Sequence, residues 1–255
     1  MTKLYTIQAN LRLGKIKENT EKIFGYIEQS KEGIVLVPEM FSCGFDNDNL
    51  KQHTEKTPKI KRQLEQLSFE NNLVIAGTIP VNNFGETYNT GFIIENGRTI
   101  YEQQKYKLFK VTDEQKYFAT KKEKFDVVET QFGRLGLVIC FELRFPEFAQ
   151  QLRKKGMEIL LVPAQWGKLR TDHFRTLQKA RAIETQCFTI SSNTTGKIDI
   201  EYAGHSSIYD PWGRELICAQ EKEGLFSADV DLSEVYKTRE IVPMEELAYP
   251  LILVG

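Results

Sequence analysis

The sequence lacks features that would define several whole classes of protein. No apolar run approaches 18 residues, and the first 15 residues have no continuous apolar core, so we expect neither a membrane span nor a signal peptide. The 34 Lys and Arg residues are matched by 35 Asp and Glu residues and are interspersed with them, which argues against a nucleic-acid partner. These absences favour an ordinary soluble globular protein.

Cysteine is scarce as well. The four cysteines, at positions 43, 140, 187 and 218, are far apart and form no Cys-x-x-Cys pair, which argues against a zinc site or a redox dithiol. This usage fits a reducing, cytoplasmic setting. No low-complexity linker divides the chain either, so residues 1–255 are predicted to form a single domain.

What the sequence does contain is a regular alternation of apolar β-branched runs and amphipathic segments. The runs predict strands at residues 3–8, 33–37, 73–81, two within 88–104, 125–130, 134–139, 158–162, 187–192, 205–209, 214–218 and 225–230. The amphipathic segments predict helices at residues 19–29, 57–71, 147–153 and 172–186. Asp172 is the predicted N-cap of the last helix, and Asn96-Gly97 predicts a tight hairpin turn.

Two strands share a short sequence repeat. Residues 33–41 read GIVLVPEMF and residues 158–166 read EILLVPAQW, so each apolar strand ends in Leu-Val-Pro and follows a helix. The repeat suggests two related halves, each with one sheet covered by helices on one face. Packed sheet to sheet, these halves would form an α-β-β-α sandwich.

Cys140 lies where a buried strand becomes a turn, with Pro146 placed to begin the next helix. A thiol at this position is close to backbone N–H groups that stabilise an anion, so Cys140 is a candidate nucleophile. The alternative is that Cys140 is a small buried hydrophobic residue.

A cysteine nucleophile needs a base and a cation, and two other residues at strand ends offer them. The predicted 33–37 strand is followed by Pro38 and then by Glu39. Lys105 follows the second strand of the predicted hairpin. Glu39 could accept the thiol proton, and Lys105 could stabilise the oxyanion that forms on attack. The alternative roles are a helix cap for Glu39 and a solvated side chain for Lys105.

Several segments, in this order, carry a resemblance to a known family. They are LVPEMF around Glu39, QKYKLF around Lys105, GLVICFELRFPE around Cys140, and HFRTLQKARAIETQ with YAGHSSIYDPWG towards the carboxyl end. Over nearly the whole chain the sequence resembles the nitrilase, or carbon-nitrogen hydrolase, superfamily. The resemblance implies a four-layer α-β-β-α sandwich in which two mixed sheets pack face to face with helices outside.

The resemblance also implies roles for individual residues. Cys140 would be the nucleophile, Glu39 the general base, and Lys105 would complete an oxyanion hole with the Phe141 backbone N–H. Glu114 matches a second family glutamate that positions lysine and substrate. This chemistry requires no metal or organic cofactor, and members commonly pair through surface helices into homodimers.

Within the superfamily the segments LFKVTDEQKYF, QWGKLRTDHF and YAGHSSIYDPWG are most similar to the omega-amidase branch. That similarity implies hydrolysis of the terminal amide of a 2-oxo-dicarboxylic acid monoamide, through a Cys thioester and with release of ammonia. Arg170 is expected to bind the substrate carboxylate, with Trp166 beside it in the substrate site. Lys168 and Arg144 are the other candidate cations, and Arg170 could instead pair with Asp172 at the surface.

Other functions remain open from the sequence. Within the superfamily they are hydrolysis of another small amide or of an N-carbamoyl compound, or a nitrilase reaction. Outside it they are a Cys-His amidotransferase-like hydrolase that uses His173 or His205, and a catalytically silent interaction module. Neither histidine has a motif that places it beside Cys140. The presence of all three residues of the Glu39, Lys105 and Cys140 triad argues against a catalytically silent module.

Two residues depart from the family pattern. Lys107 stands where relatives usually have histidine, and Glu142 stands where they usually have aspartate. Neither belongs to the triad, so these departures leave the fine shape of the pocket open but do not change the expected reaction.

Overall fold

The computed structural model describes residues 1–121, 125–198 and 200–244. The strands in this part of the chain are β1 Thr2–Gln8, β2 Gly33–Leu36, β3 Leu73–Asn83, β4 Glu86–Glu95, β5 Arg98–Gln104, β6 Val128–Thr130, β7 Gly133–Leu137, β8 Ile159–Pro163, β9 Phe188–Ser192, β10 Thr195–Lys197, β11 Glu201–Ala203, β12 Ser207–Tyr209, β13 Glu215–Cys218 and β14 Gly224–Val230. The helices are α1 Ile16–Glu28, α2 Leu50–Asn71, α3 Pro146–Lys154, α4 Thr171–Thr185 and α5 Ser233–Ile241. None of these helices combines the length and apolar character needed to cross a membrane.

Twelve of the strands form two six-stranded sheets with the same internal arrangement, and β10 and β11 form a separate two-stranded sheet. The first has the order β14-β1-β2-β3-β4-β5 and the second has the order β6-β7-β8-β9-β12-β13. In each sheet the second, third and fourth strands are parallel, and the flanking strands are antiparallel. The two Leu-Val-Pro strands, β2 and β8, occupy the same central position. The sequence repeat therefore corresponds to a repeat of topology.

Side chains along β2 and the residue after it point alternately to the two faces of the first sheet, and each face is covered by a different apolar core. Ile34 and Leu36 point into an apolar core shared with the second sheet, whereas Val35 and Val37 belong to a second core beneath α1 and α2. All four side chains are fully buried, as expected for a central strand that is covered on both faces. The second sheet is covered by α3 and α4. The predicted α-β-β-α sandwich of two mixed sheets is confirmed.

Three predictions about helix starts are wrong. Helix α1 begins at Ile16 rather than residue 19. Helix α2 begins at Leu50 rather than residue 57, and Pro58 lies inside it. Proline removes one backbone N–H donor from the helix. The buried face of α2 nevertheless continues on both sides of Pro58. Next to it, Thr57 Oγ1 donates a hydrogen bond to the Pro80 carbonyl at 2.6 Å. Helix α4 begins at Thr171, so Asp172 lies within the first turn and is not the N-cap. A carboxylate there still complements the helix dipole.

The fold brings several strand ends to one edge of the sandwich. Glu39 follows β2, Lys105 follows β5, Cys140 follows β7, and Gln165 follows β8. In the first sheet the carboxyl ends of β2 and β5 lie at the same edge, because β5 runs in the same direction as β3 and β2. Side chains that are far apart in sequence therefore converge between the sheets.

Candidate active site

Three buried charged side chains converge at this edge. Lys105 Nζ lies 2.8 Å from Glu39 Oε1 and 2.9 Å from Glu114 Oε1. The Lys105 and Glu39 side chains are completely shielded from solvent, and Glu114 is nearly so. Cys140 is also buried, and its thiol is close enough to these three side chains to interact with them electrostatically. The structure thus brings together the three predicted triad residues and Glu114.

Glu39 is held in one orientation by neighbours on several elements. Its Oε1 also accepts a hydrogen bond from Asn89 Nδ2 at 2.8 Å, and its Oε2 accepts one from the Gln165 backbone N–H at 3.0 Å. The Gln165 side-chain amide donates in turn to the Glu39 carbonyl at 2.8 Å. Asn89 and Gln165 did not emerge from the sequence, because a polar residue in a strand or after a proline has no distinguishing pattern.

Cys140 begins a 3₁₀ turn, Cys140–Arg144, and has an unusual backbone conformation. Its φ is +48°, in the left-handed region that residues other than glycine rarely adopt. The Phe141 N–H, in the first turn of this segment, donates to no described acceptor. A nucleophile next to a free N–H is the arrangement that an oxyanion hole requires.

Burial and charge shift the proton affinities of the cluster. Burial raises the pKa of the Cys140 thiol well above its usual value, and the Glu39 charge adds to this effect, while Lys105 opposes it. Burial alone would lower the pKa of Lys105, but the Glu114 and Glu39 carboxylates outweigh it and raise that pKa. Burial also raises the pKa of Glu114, against the effect of Lys105. Lys105 is therefore a fixed cation, and the resting thiol keeps its proton until a base removes it.

A cleft opens onto Cys140 and holds about 640 Å³ of space not filled by protein atoms, including its mouth. Its walls combine aromatic rings with a few polar groups, as small-molecule sites usually do. The lining residues are Phe45, Asn47, Phe109, Thr112, Glu114, Cys140, Phe141, Arg144, Gln165, Trp166, Arg170, Ile200 and Tyr202.

Two arginines line this cleft, and both lie against aromatic rings. The Arg144 guanidinium is 4.8 Å from the centre of the Trp166 ring, and that of Arg170 is 5.0 Å from the centre of the Phe109 ring. Burial lowers the pKa of Arg144, and the nearby Arg170 charge lowers it further. The Trp166 indole N–H donates to the Arg170 carbonyl at 2.8 Å, and its ring also stacks on Phe174 with the ring centres 5.1 Å apart.

Neither arginine is neutralised within the described part of the chain. No carboxylate there forms an ion pair with Arg144 or Arg170, so the alternative pairing of Arg170 with Asp172 is absent. Lys168, the third candidate cation, pairs with Glu221 at 3.2 Å and does not line the Cys140 cleft. The cleft therefore contains two positive charges that are available to an anionic ligand.

The histidines lie outside the cleft. His173 Nδ1 is 3.2 Å from Arg144 Nη2, and His205 Nδ1 is 3.5 Å from Cys218 Sγ in a separate surface depression. Neither histidine is among the residues that line the Cys140 cleft, so the Cys-His alternative has no geometric support. Within residues 1–121, 125–198 and 200–244, no three His, Cys, Asp or Glu side chains are grouped as metal ligands.

The two departures from the family pattern do not shape the cleft directly. The Lys107 ammonium lies over the rings of Tyr106 and Phe145, at 5.0 and 5.1 Å from their centres. Glu142 is completely buried behind the cleft. Neither residue is among those that line the cleft.

The fold and this site agree with what sequence comparison shows. The family model for carbon-nitrogen hydrolases matches residues 5–240, nearly the whole chain. The chain therefore belongs to the carbon-nitrogen hydrolase family, as its sequence resemblance predicted.

Individual relatives show which members are similar. The chain is 35% identical to the 2-oxoglutaramate amidase of Bacillus subtilis over 244 residues, covering 93% of this chain and 94% of that protein. It is 30% identical to the omega-amidase NIT2 of Bos taurus over 251 residues, covering 92% and 91% respectively. The crystal structure of a carbon-nitrogen hydrolase from Helicobacter pylori superposes with a TM-score of 0.90 at 22% identity, covering 96% of this chain and 94% of the other.

Proposed function

We propose that the protein is an amidase that hydrolyses the terminal carboxamide of a short 2-oxo-dicarboxylic acid monoamide. The observation that carries this proposal is that Arg144 and Arg170 line the same cleft as Cys140. Such a substrate has a carboxamide at one end and a 2-oxo carboxylate at the other. The similarity to 2-oxoglutaramate amidase and omega-amidase supports the same substrate class.

Carboxylate binding follows from the arginine geometry. A carboxylate that leaves water for this cleft needs a fixed cationic partner, because otherwise its desolvation opposes binding. A guanidinium grips a carboxylate with two parallel hydrogen bonds, and the rings of Trp166 and Phe109 hold the two arginines in place. Either arginine can therefore anchor the acid end and direct the amide towards Cys140.

In the first half-reaction Cys140 attacks the carboxamide carbon. Glu39 takes the thiol proton, the new C–S bond forms, and the carbonyl π electrons move to oxygen. Lys105 Nζ and the Phe141 N–H stabilise this oxyanion. When the tetrahedral intermediate collapses, Glu39 returns the proton to the leaving nitrogen, the C–N bond breaks, and ammonia departs from a thioester.

The second half-reaction releases the acid. Glu39 removes a proton from water, whose oxygen attacks the thioester carbon, and the same donors stabilise the second oxyanion. Collapse then breaks the C–S bond, and Glu39 returns its proton to the Cys140 sulfur. Glu114 is positioned to keep Lys105 charged and aimed into the cleft, since its Oε1 lies 2.9 Å from Nζ and its Oε2 accepts the Phe109 N–H at 3.0 Å.

Ammonia release from a panel of compounds tests the substrate class. The panel contains 2-oxoglutaramate, 2-oxosuccinamate, glutamine, an N-carbamoyl amine and a simple aliphatic nitrile. We expect the two 2-oxo acid monoamides to give the highest kcat/KM. A preference for glutamine, the N-carbamoyl amine or the nitrile would instead assign the protein to another branch of the family.

We also propose that the single-domain protein acts as a homodimer in the cytoplasm. Ile183 on α4 and Trp212 in the adjacent turn are each more than two-fifths exposed, and such neighbouring apolar side chains are typical of a subunit interface. All four cysteines are free thiols, which fits a reducing compartment. Sedimentation equilibrium should give a dimer, and Ile183→Asp should give a monomer. A monomeric wild-type protein would contradict this assembly.

A further inference from the structure

Glu142 connects the two turns that carry Lys105 and Cys140. Its Oε2 accepts a hydrogen bond from the Ile139 N–H at 2.8 Å, and its Oε1 accepts one from the Tyr106 N–H at 2.7 Å. The Lys107 N–H lies 3.3 Å from the same Oε1. One carboxylate thus binds the residue just before Cys140 and the two residues just after Lys105.

These two turns belong to different sheets. Lys105 follows β5, at the edge of the first sheet, whereas Cys140 follows β7 in the second. The position of the lysine relative to the thiol therefore depends on contacts that cross between sheets. The Glu142 carboxylate is such a contact, and it is completely buried at a point adjacent to both residues.

We propose that Glu142 is a positioning residue that holds the Lys105 turn and the Cys140 turn at the separation amide hydrolysis requires, an inference that rests on the function proposed above. Glu142 does not line the cleft, so it acts through Lys105 and Cys140 and not on the substrate. Its loss should therefore change kcat more than KM.

The groups around Glu142 match an ionised carboxylate. N–H donors face both of its oxygens, and a carboxylate is the one side-chain group of this shape that accepts on both sides. A glutamine amide would direct its own N–H₂ donors at either Ile139 or Tyr106. Burial raises the pKa of Glu142 to about 7, and the Ile139 and Tyr106 N–H groups and the Lys105 charge oppose that rise. Glu142 is therefore mainly ionised above about pH 7.

The isosteric variant Glu142→Gln tests the proposal in the full-length protein with 2-oxoglutaramate. We expect kcat to fall by about 10- to 100-fold, the range in which small misplacements of catalytic groups reduce rates, while KM changes by less than about threefold. Alkylation of Cys140 by iodoacetamide should slow in parallel, which reports on the thiol and its neighbours without requiring turnover. Glu142→Asp keeps a carboxylate on a shorter stem and should give a kcat between those of the wild type and Glu142→Gln.

Glu158→Gln is the matched control. Glu158 is also a buried carboxylate that accepts a backbone N–H, from Arg134 at 2.8 Å, and it accepts the Tyr236 hydroxyl at 2.6 Å. It lies at the start of β8, at the opposite end of that strand from Gln165. We expect Glu158→Gln to lower the melting temperature but to leave kcat within about twofold of wild type.

The outcomes separate this proposal from the proposed function. A wild-type protein that releases no ammonia from any amide overturns the function itself. An active wild type with a Glu142→Gln variant of unchanged kcat, or with equal losses of kcat in Glu142→Gln and Glu158→Gln, overturns the positioning role. If Glu142→Gln does not fold, Glu142→Asp decides the question, and a folded Glu142→Asp protein with wild-type kcat overturns the proposal.

Discussion

Lys105 Nζ and Glu39 Oε1 lie 2.8 Å apart, and neither of the two side chains is exposed to solvent. A buried ion pair of this kind contributes little net stability, because desolvation of the two charges offsets their attraction. Removing one member is costly, however, since the other is left as an unpaired buried charge. The pair is thus better explained by chemistry than by stability.

Lys105→Met tests this explanation. The substitution removes one proposed oxyanion donor and leaves Glu39 and Glu114 facing each other without a cation. We expect kcat to fall by at least about 10²–10³-fold, the usual effect of losing one such donor. Steady-state ammonia release measures the loss. His173→Gln and His205→Gln are the controls and should retain the chemistry, so a fatal histidine change beside an active Lys105→Met protein would reject the triad.

Glu114→Gln should have an intermediate effect. Glutamine can still accept a hydrogen bond from Lys105 Nζ, but it no longer supplies the charge that helps to keep the ammonium protonated. We expect turnover to fall by roughly 10- to 100-fold, the range in which small misplacements of catalytic groups reduce rates. The thiol should still react with small alkylating agents. A variant with wild-type turnover would remove Glu114 from the mechanism.

Arg170→Gln tests recognition of the substrate carboxylate. We expect kcat/KM for 2-oxoglutaramate to fall by about 10- to 100-fold, since a hydrogen bond to a charged group contributes about 1.5–3 kcal/mol. An uncharged amide of the same length should be affected much less. Arg144→Gln is the parallel variant, and comparison of the two shows which guanidinium binds the acid. Equal losses on acid and neutral amide for both variants would contradict the proposed binding mode.

The raised pKa of Glu142 predicts a pH dependence of stability. Its pKa is about 7 in the fold and about 4.3 in an unfolded chain, so the folded protein binds this proton more tightly. The free energy of unfolding should therefore decrease as pH rises from about 4.5 to 7, by on the order of 3 kcal/mol. Glu142→Gln should lack this part of the decrease.

Urea denaturation of both proteins at pH 5 and pH 8 provides the measurement. The stability of the wild type should fall more between the two pH values than that of Glu142→Gln. Glu114, whose pKa is also raised, contributes with the same sign in both proteins and cancels in the comparison. Identical pH dependence would show that burial does not perturb Glu142.

The strand pattern and the strand-end residues could be predicted because local chemistry determines them. Apolar β-branched runs locate β2, β3 and β8, and Glu39 and Cys140, which follow buried runs, lie at the functional edge. The topological repeat is visible in the two Leu-Val-Pro segments. The three-residue strands β10 and β11 show no recognisable periodicity in the sequence and were not predicted.

Contacts between distant segments could not be predicted in the same way. Asn89 reaches Glu39 because of the register of the first sheet, and Gln165 reaches it because the two sheets pack against each other. Glu142 was noted only as a departure from the family pattern, and its link to Tyr106 depends on that same packing. Arg144 can bind an anionic ligand only if no carboxylate of the protein pairs with it. The sequence around Arg144 does not reveal which carboxylates lie near it in the fold.

A covalent intermediate on Cys140 is the central claim, and mass spectrometry tests it most directly. We predict that wild-type protein mixed with a slowly hydrolysed amide gains the mass of the acyl group on the peptide that contains Cys140. Cys140→Ala should fold normally by circular dichroism, show no adduct and release no ammonia. An acyl adduct on Cys43, Cys187 or Cys218 instead, or an active Cys140→Ala protein, would contradict the mechanism.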